Sequence, residues 1–533
     1  MKPKLGFDDF ILEQMAEKGI SKELTFKILK QSLSGKSGTG KPVEVTGFPT
    51  VDNKTIIGMT NDCSWSVPLQ RAQANIEGIS TQLKVESFGT IKRQTLYFTR
   101  EQLIELGIAL YPYVAYGILN GGSATSYVDR IKNKEFNPAI FSSCRKEFDR
   151  IASIAMGKAK GLTPAYINID GTPGPSFIEL KMRALLIQAY VYQLKYGIRK
   201  DRTPEPLYPL FQMTSVSNNE EILEAFEAYR TSPVLKDLIR ETGINITRVE
   251  TGVQPMLAAF THSSAGKKKA VFTGAYGNTN EILALPGGHG QNFAVLSEVY
   301  LNLHKKRKRF VYLGNVDNLG YTVDPASVAI LALSGKQAAF DFSYKTSVDI
   351  KGGILVYDQR NRLTCADIGP ALSGEEVENA EKRGKTILFN CATGLFNLSF
   401  LVEKIDYISE KLPMRFSDQD KEAGQYSQAE QVTWEIIGLL TNFLIFAVDK
   451  YDRFLASKLL IENLMTSGVG LENHSYTENS RLEKNLRSVG RQLCKGLYRK
   501  LATVYGMKLL HKRWLPKSIP ELRRELTHEK GLK

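Results

Sequence analysis

Residues 116–131 read YGILNGGSATSYVDRI and join a short apolar segment to a glycine turn. The apolar part belongs to VAYGIL at 114–119, a run typical of a buried strand. The tripeptide NGG follows at 120–122, and such turns let backbone N–H groups approach a phosphate closely. The stretch therefore predicts a strand that ends in a nucleotide-binding loop, although Ala124 stands where a further glycine would be expected.

Strand-type and helical segments alternate downstream of this loop. LFQMTS at 210–215 and RFVYLGNVD at 309–317 read as strands, and a helix over 218–229 is introduced by a capping box of Ser217 and Glu220. This alternation predicts an α/β fold with a mainly parallel, Rossmann-like sheet and helices on both faces. Because ligands of such sheets bind beyond the carboxyl ends of the strands, the informative residues are expected directly after them.

The predicted secondary-structure pattern and the charge divide the chain into three regions. Residues 1–110 read as an N-terminal α+β extension, in which Phe7–Leu33 forms two short helices hinged at Gly19. Residues 111–467 carry the α/β pattern, and residues 468–533 read as a basic helical region.

Composition indicates a soluble globular protein, with 42% hydrophobic and 24% charged residues in 533. The five cysteines are far apart and form no CxxC pair, so a zinc site is disfavoured and a reducing, cytoplasmic setting fits best. The N-terminus shows no signal-peptide pattern. The longest apolar stretch, Ile436–Val448, is too short to span a bilayer and is interpreted as a buried helix.

The net charge of +14 is concentrated at the C-terminal end. Residues 481–533 contain fifteen Lys or Arg and four Glu, a net charge of +11. A solvated helical face is the favoured interpretation. Binding to nucleic acid, an anionic membrane or an acidic partner is a weaker one, because aromatic residues are few and no RNA-binding signature is present.

A second glycine-rich stretch, SGKSGTGKP at 34–42, nearly matches the phosphate-loop pattern GxxxxGK[ST]. Pro42 replaces the hydroxyl residue that would hold magnesium, and the stretch follows a predicted helix instead of a strand. It is therefore interpreted as a surface loop.

An aspartate at the end of the third predicted strand is the candidate metal ligand. Asp317 lies in NVDNLG, and Mg²⁺ takes one or two carboxylates and completes its shell with water and phosphate oxygens. On its own, the pattern VDN is equally consistent with an ordinary turn.

The order of the strand-end motifs resembles that of the eukaryote-type UTP–sugar-1-phosphate uridylyltransferases, which make UDP-glucose and UDP-N-acetylglucosamine. The resemblance covers about Val114 to Ser467. The motifs that carry it are ILNGGSATS, KGLTP, QMTS, GVQPML, LPGGHGQN, NVDNLG, SVDIKGG, LFNCATGLFN and DRFLASK.

The resemblance implies a Mg²⁺-dependent transfer of a uridylyl group from UTP to a sugar 1-phosphate. It also implies a role for each motif residue. Nucleotide contacts are expected from Asn120, Gly121, Gly122, Gln254 and Gly288, and sugar or ribose contacts are expected from His289, Asn318 and Asn390. Phosphate contacts are expected from the lysines Lys160, Lys351 and Lys458, and Asp317 is the expected metal ligand. His289 is equally well explained as a residue that packs the loop.

The match to the family departs at four points. Ala124 and Val128 replace glycines of the loop, and an insertion of roughly thirty residues, with an expected helical segment at 143–158, separates the loop from Lys160, the favoured catalytic lysine. Gln291 replaces the aspartate that usually follows GHG. If Ala124 needed a positive φ, the substitution would cost on the order of 1 kcal/mol.

These departures leave three alternatives to the leading function, which is formation of UDP-glucose. The sugar can be N-acetylglucosamine 1-phosphate; the chain can be a catalytically silent relative that binds UDP-sugar; or the basic C-terminal region can bind nucleic acid. The sequence does not determine the sugar or the oligomeric state.

Overall fold

A computed structural model of the chain describes residues 9–33, 43–60, 62–198, 207–266, 268–471 and 481–529. The glycine-rich stretch at 34–42 lies outside the described residues. The strands are β1 (Val45–Gly47), β2 (Ile56–Gly58), β3 (Ser64–Pro68), β4 (Thr90–Lys92), β5 (Thr95–Thr99), β6 (Val114–Leu119), β7 (Leu210–Ser215), β8 (Glu250–Gln254), β9 (Met256–Ala258), β10 (Phe260–Thr261), β11 (Ala284–Pro286), β12 (Phe310–Asn315), β13 (Ala338–Tyr344), β14 (Gly352–Asp358), β15 (Leu363–Ile368), β16 (Leu388–Asn397), β17 (Met414–Lys421), β18 (Gly424–Gln431), β19 (Phe443–Val448), β20 (Met507–Leu510) and β21 (Arg513–Pro516).

The helices occupy most of the remaining described chain. They are α1 (Asp9–Glu17), α2 (Lys22–Leu33), α3 (Leu69–Glu77), α4 (Arg100–Ala109), α5 (Thr125–Val128), α6 (Arg130–Phe136), α7 (Pro138–Ser143), α8 (Arg145–Ala155), α9 (Phe177–Tyr196), α10 (Asn219–Tyr229), α11 (Lys236–Thr242), α12 (Asn292–Val295), α13 (Ser297–Lys305), α14 (Pro325–Ser334), α15 (Gly374–Lys382), α16 (Leu398–Lys411), α17 (Lys450–Arg453), α18 (Leu460–Thr466), α19 (Arg481–Thr503) and α20 (Ile519–Glu529).

The described residues form a central sheet with the strand order β2-β19-β13-β16-β12-β6-β7-β8, and β14, β15 and β1 extend it from β16. The pairs β12–β6, β6–β7 and β7–β8 are parallel, as are β13–β19 and β19–β2, whereas β16 runs antiparallel to its neighbours. The predicted α/β fold with a mainly parallel mixed sheet is confirmed.

The VAYGIL segment forms β6 and is buried along its whole length. Alternate side chains of this strand enter two different hydrophobic clusters: Val114, Tyr116 and Ile118 face one, and Ala115 and Leu119 face the other. This period of two is the geometry of a strand covered on both faces. Helices α4, α9 and α14 line the first cluster, and α13 and α16 line the second.

Two local predictions from the sequence are wrong. The apolar stretch 436–448 is not a helix: it ends in β19, a strand of the central sheet, because its β-branched and aromatic residues suit a pleated buried surface. Asn218, not Ser217, is the N-cap residue of α10, and the Ser217 hydroxyl instead lies 2.9 Å from that of Ser215.

The first hundred residues are interwoven with the central sheet and are not an independent extension. Strand β2 adds to its edge beside β19, and β1 pairs with β14. The predicted pair of helices is present as α1 and α2, and the backbone of Ser21 donates a hydrogen bond to Met256 at 2.8 Å. This contact attaches the N-terminal helices to the loops that follow β8.

The basic C-terminal region is also part of the main core. Its long helix α19 buries Leu493, Leu497 and Leu501 in the cluster that contains β6. The Tyr505 hydroxyl donates to the carbonyl of Leu319 at 2.8 Å, and Leu319 belongs to the same NVDNLG loop as Asp317. Many of its basic residues lie on an exposed helical face, as the favoured interpretation of the charge expects. In the part of the chain that the structure describes, every helix is too short or too polar to span a bilayer.

The close approach of α19 to α17 gives a direct test of this packing. A Cβ atom added at Gly496 would lie 2.0 Å from the carbonyl oxygen of Tyr451. We expect Gly496→Ala to lower the free energy of unfolding by about 1–3 kcal/mol because the backbone must move. Chemical denaturation measures this, with the exposed Ser488→Ala of the same helix as control, expected within about 0.5 kcal/mol of wild type. Equal stability of the two variants would contradict the packing.

Candidate functional site

The glycine loop and the NVDNLG loop leave adjacent strands at the same edge of the sheet. Strands β6 and β12 are paired in parallel with Leu119 opposite Asn315, so Asn120 and Asp317 follow at neighbouring strand ends. The backbone N–H of Asn120 also bonds the carbonyl of Met213 on β7 at 2.8 Å. Three of the predicted strand-end motifs therefore meet at one place.

The glycine loop is unstrained at the position where its sequence departs from the family. Ala124 has φ −79°, so the alanine carries no left-handed backbone penalty. Its N–H donates to the carbonyl of Lys158 at 2.9 Å, and the N–H of Lys160 donates to the carbonyl of Gly122 at 3.0 Å. The insertion, which forms helices α5 to α8, thus leaves the loop and returns to it, and it places Lys160 beside Gly122.

The side chain of Lys160 is buried among groups that hold its ammonium in place. Its Nζ donates to the carbonyl of Ser457 at 2.9 Å and lies 3.1 Å from the centre of the Tyr127 ring. Burial lowers the pKa of Lys160 to about 8, and the carboxylates of Asp317 and Glu462 act in the opposite direction. Tyr127 lies on α5, directly after the glycine loop, and no motif in the sequence predicts this cation–π contact.

The NVDNLG loop is held by a side chain that the sequence analysis expected to contact the sugar. The Asn318 amide donates to the carbonyls of Arg453 at 3.1 Å and Cys391 at 3.4 Å. Its oxygen accepts from the N–H groups of Gly320 at 2.9 Å and Leu455 at 3.0 Å. Because an asparagine side chain offers two donors and two acceptor positions, Asn318 is fully used as a loop clamp, and the sugar assignment is corrected.

A second buried group, missed from the sequence, supports the same loop from beneath. Lys181 on α9 is fully buried and donates to the carbonyls of Asn318 and Tyr321. Burial lowers the pKa of Lys181 well below its usual value, while the Asp317 carboxylate opposes that shift. The sequence offers no motif for this lysine, which lies in a largely buried helix between the buried charged residues Glu179 and Arg183.

Gln254 and Gly288, both expected to contact the nucleotide, meet at the other side of the glycine loop. The amide nitrogen of Gln254 donates to the carbonyl of Gly288 and to Oε1 of Gln291, both at 2.8 Å. A Cβ atom added at Gly121 would lie 3.1 Å from Oε1 of Gln254. The end of β8 therefore borders the glycine loop through a single glutamine side chain.

His289 packs its loop and also lines the cavity, and its contact with a sugar stays a prediction. Its Nδ1 accepts the backbone N–H of Thr433 at 3.1 Å, which leaves the proton on Nε2. Burial lowers the pKa of His289 to about 4, and the charge of Lys458 adds to this effect. The ring is therefore a neutral donor at physiological pH.

A cavity of about 180 Å³ opens beside these loops. It is lined by His289, Asn315, Asp317, Asn318, Gly352, Gly353, Cys365, Asp367, Phe389, Asn390, Cys391, Ala392, Val432, Trp434, Glu435, Phe454, Ala456 and Lys458. Five of the predicted residues are brought together here, namely Asp317, His289, Asn390, Lys458 and, through its loop, Asn318. Lys351 is exposed and is not part of this wall.

The wall also carries acidic groups that the sequence analysis did not identify. Glu435 pairs with Arg415 through one oxygen, and no described residue bonds its other, buried oxygen. Burial raises the pKa of Glu435 to about 7, and the nearby Asp367 carboxylate adds to the rise. These carboxylates lie on β15 and in the loop before β19, where only the fold brings them to the cavity.

The arginine of DRFLASK is structural. The Arg453 guanidinium is buried and pairs with Asp341, with nitrogen–oxygen distances of 2.9 and 3.1 Å. This ion pair and the bond from Arg453 to the carbonyl of Thr322 at 3.0 Å fix the turn that leads to Lys458. The exposed Lys458 is thereby presented at the mouth of the cavity.

The environment of Asp317 is compatible with a single-carboxylate metal site. Within the residues that the structure describes, no three His, Cys, Asp or Glu side chains are grouped as a metal cluster. The Asp317 carboxylate lines the cavity, and no described residue donates a hydrogen bond to it. Such a group fits Mg²⁺, whose remaining ligands are water and phosphate oxygens.

The mixed sheet and the polar cavity at its carboxyl edge define an α/β protein with a ligand cleft built from successive strand-end loops. More specifically, the chain belongs to the UTP–glucose-1-phosphate uridylyltransferase family, whose sequence profile matches residues 171–489, more than half of the chain. The resemblance drawn from the motifs is confirmed. The match begins after the glycine loop and Lys160, so the placement of these two features rests on the structure.

Individual relatives are distant. The UTP–glucose-1-phosphate uridylyltransferase of Solanum tuberosum is 24% identical over 269 residues, which cover 50% of this chain and 49% of the relative. The protein of the same name from Musa acuminata is 22% identical over 358 residues, 64% of this chain and 69% of the relative. The chain thus spans about half the length of the first of these relatives.

Solved structures share the fold. The UDP-glucose phosphorylase of Trypanosoma brucei aligns with a TM-score of 0.54 at 16% identity, covering 95% of this chain and 81% of that one. The uridine diphosphate N-acetylglucosamine pyrophosphorylase of the same organism aligns with a TM-score of 0.56 at 16% identity, covering 94% and 91%.

The corrected role of Asn318 is testable without any ligand. We expect Asn318→Ala to lower the free energy of unfolding by about 2–4 kcal/mol, because several buried backbone groups lose their partners. The measurement is chemical denaturation of the ligand-free protein, with Asn390→Ala as the control, since Asn390 makes only one short hydrogen bond, to the N–H of Ala392 at 2.9 Å. An Asn318→Ala protein as stable as the control would return Asn318 to the sugar-binding role.

Proposed function

We propose that the protein is a uridylyltransferase that forms UDP-sugar and pyrophosphate from UTP and a sugar 1-phosphate, with glucose 1-phosphate as the favoured substrate. The observation that carries this proposal is the convergence at one sheet edge of the glycine loop, the buried ammonium of Lys160 and the free carboxylate of Asp317. The family assignment supports the same reaction, and the relatives named above carry the glucose 1-phosphate activity in their names.

In this proposal the reacting groups are two anions that the protein must bring together. An oxygen of the sugar 1-phosphate attacks the α-phosphorus of UTP, the bond from that phosphorus to the bridging oxygen of the β-phosphate breaks, and pyrophosphate leaves. Because little covalent chemistry is required of the protein, positioning and charge neutralisation supply most of the acceleration.

The chain's own residues divide these tasks along the cleft. Backbone groups of Gly121 and Gly122 cradle the nucleotide, and Gln254 contacts the base. Lys458 at the mouth of the cavity and the buried Lys160, whose Nζ bonds the carbonyl of the adjacent Ser457, neutralise the phosphates. On the sugar side, the neutral His289 donates from Nε2.

Magnesium is proposed as the cofactor, with Asp317 as its protein ligand. When bound, the ion supplies charge neutralisation between phosphate oxygens. The Asp317 carboxylate also acts on Lys160 and Lys181, where its charge opposes the lowering of each lysine pKa by burial.

The catalytically silent alternative was suggested by Ala124 and by the displaced lysine. Neither observation favours it in three dimensions, since Ala124 is unstrained and Lys160 returns to the glycine loop. The remaining alternative, N-acetylglucosamine 1-phosphate, is distinguished by experiment.

The central experiment is pyrophosphate release from UTP with glucose 1-phosphate and N-acetylglucosamine 1-phosphate, in the presence and absence of Mg²⁺. We expect turnover with glucose 1-phosphate that requires the metal, and a loss of about 10²–10³-fold in kcat for Asp317→Asn. Tight binding of UDP-glucose without any turnover would contradict the proposal and would identify a silent UDP-sugar-binding protein.

The role of Lys160 predicts a distinct pH profile. The value of kcat/KM for the free enzyme is expected to fall above about pH 8, because the lysine ammonium is lost as pH rises through its lowered pKa. Lys160→Arg keeps the charge at all accessible pH values and should remove this alkaline limb, whereas Lys160→Ala should lose about 10²-fold or more at every pH. The matched control is Lys305→Ala, which alters an exposed lysine at the end of α13, outside the cavity wall. A profile for Lys160→Arg that matches wild type would exclude Lys160 as the titrating group.

A further inference from the structure

Gln291 replaces the aspartate that usually follows GHG in the family. Its side chain lies where the GHG loop contacts Gln254 at the end of β8. It is buried, with 2% of its surface exposed, as is its neighbour Gln254. The amide nitrogen of Gln254 has two hydrogens, and both are used, one on the carbonyl of Gly288 and one on Oε1 of Gln291, each at 2.8 Å.

The carbonyl of Gly288 determines which atoms of this network donate hydrogen bonds and which accept them. The backbone carbonyl of Gly288 can only accept, so the group of Gln254 that faces it must be the NH₂ group. The second hydrogen of that group then needs another acceptor, which Oε1 of Gln291 supplies. If the Gln291 amide were reversed, two donors would face each other in a buried site, which is unfavourable because neither hydrogen has an acceptor.

The Gln291 side chain has little freedom to rotate away. Its Nε2 is buried, and none of the described residues accepts a hydrogen bond from it. A Cβ atom at Gly287 would lie 2.3 Å from this nitrogen, so the amide is packed against the backbone of the loop. The absence of a side chain at Gly287 is therefore what admits Gln291 in this position.

With both hydrogens of Gln254 committed, its carbonyl oxygen is the end left for a ligand. This oxygen borders the glycine loop, close to Gly121. An acceptor at that point matches a base edge that presents a donor. Uracil carries a hydrogen on N3, whereas N3 of cytosine is itself an acceptor and would face the oxygen unpaired.

We propose that Gln291 is a positioning residue that orients the Gln254 amide so that its oxygen selects uracil over cytosine. The inference rests on the proposed function for the presence of a uridine nucleotide, and it adds the residue that sets base specificity. Gln291 does not touch the base; it acts through Gln254. A site built around a required hydrogen bond discriminates strongly against a ligand that lacks the partner group.

The experiment compares Gln291→Leu with Gln291→Glu, which retains an acceptor. Binding of UDP and CDP is measured by calorimetry, and the UTP-to-CTP ratio of kcat/KM is measured with glucose 1-phosphate. We expect Gln291→Leu to reduce the preference for uridine at least tenfold, mainly through weaker UDP binding and higher KM, and Gln291→Glu to keep most of it.

A matched control separates positioning from a general loss of stability. Gln14 is also a buried glutamine with two hydrogen bonds, to the carbonyl of Asn280 at 2.7 Å and from the N–H of Ile282 at 3.2 Å. Gln14→Leu should lower stability without changing the preference for uridine. An unchanged UDP-to-CDP preference in folded Gln291→Leu would overturn the inference.

A probe of the wild-type protein keeps the test independent of variant folding. UDP methylated at N3 lacks the donor, and we expect it to bind at least 100-fold more weakly than UDP. Equal affinity would show that no acceptor faces N3 and would overturn the inference. Binding that selects UDP in a Gln291-dependent way, without turnover, would sustain the inference while the proposed function fails.

Discussion

The carboxylate of Asp317 must be held at the edge of a sheet with one side free, and much of the buried polar structure serves this requirement. Asn318, the next residue, uses all the hydrogen-bonding groups of its side chain to bind backbone groups of its own loop and of two other segments. Lys181 fills the space beneath, and its ammonium bonds two backbone carbonyls without an ion pair to any acidic side chain among the described residues. A buried ammonium of this kind is costly unless its hydrogens are bonded and a carboxylate is near, so the lysine and the aspartate stabilise each other's placement.

The same requirement explains why the ends of the chain are not separable from its centre. The loop that carries Asp317 is braced by Tyr505 from the C-terminal region through the carbonyl of Leu319. Arg183 on α9 donates to the carbonyls of Tyr505 and Gly506, at 2.6 and 2.8 Å, and so anchors that region to the helix that also carries Lys181. Strand β2, from the first sixty residues, completes the far edge of the sheet. The three regions suggested by the sequence are therefore parts of one packed body.

The sequence was sufficient for the features that depend on local pattern. The buried strand VAYGIL and the strand-end position of Asp317 follow from periodicity and turn chemistry, whereas the meaning of the motif order comes from the family resemblance; the structure brings these residues to one edge. The side-chain partners were not predictable, because they depend on contacts between distant segments. In the sequence nothing shows that the Asn318 amide is bonded to Leu455 and Cys391, which are distant along the chain. Nor does the sequence show that Glu435 is part of the cavity wall instead of the surface. The apolar stretch that ends in β19 was misassigned because length and hydropathy alone do not separate a buried strand from a buried helix.

The brace from Tyr505 to Leu319 also has a consequence for biosynthesis. A chain emerging from the ribosome contains the glycine loop, Lys160 and Asp317 long before it contains the tyrosine that supports them. The cleft cannot reach its final form until the chain has been made at least as far as Tyr505, so a nascent or truncated product that stops before this residue lacks a finished site even when the glycine loop, Lys160 and Asp317 are present.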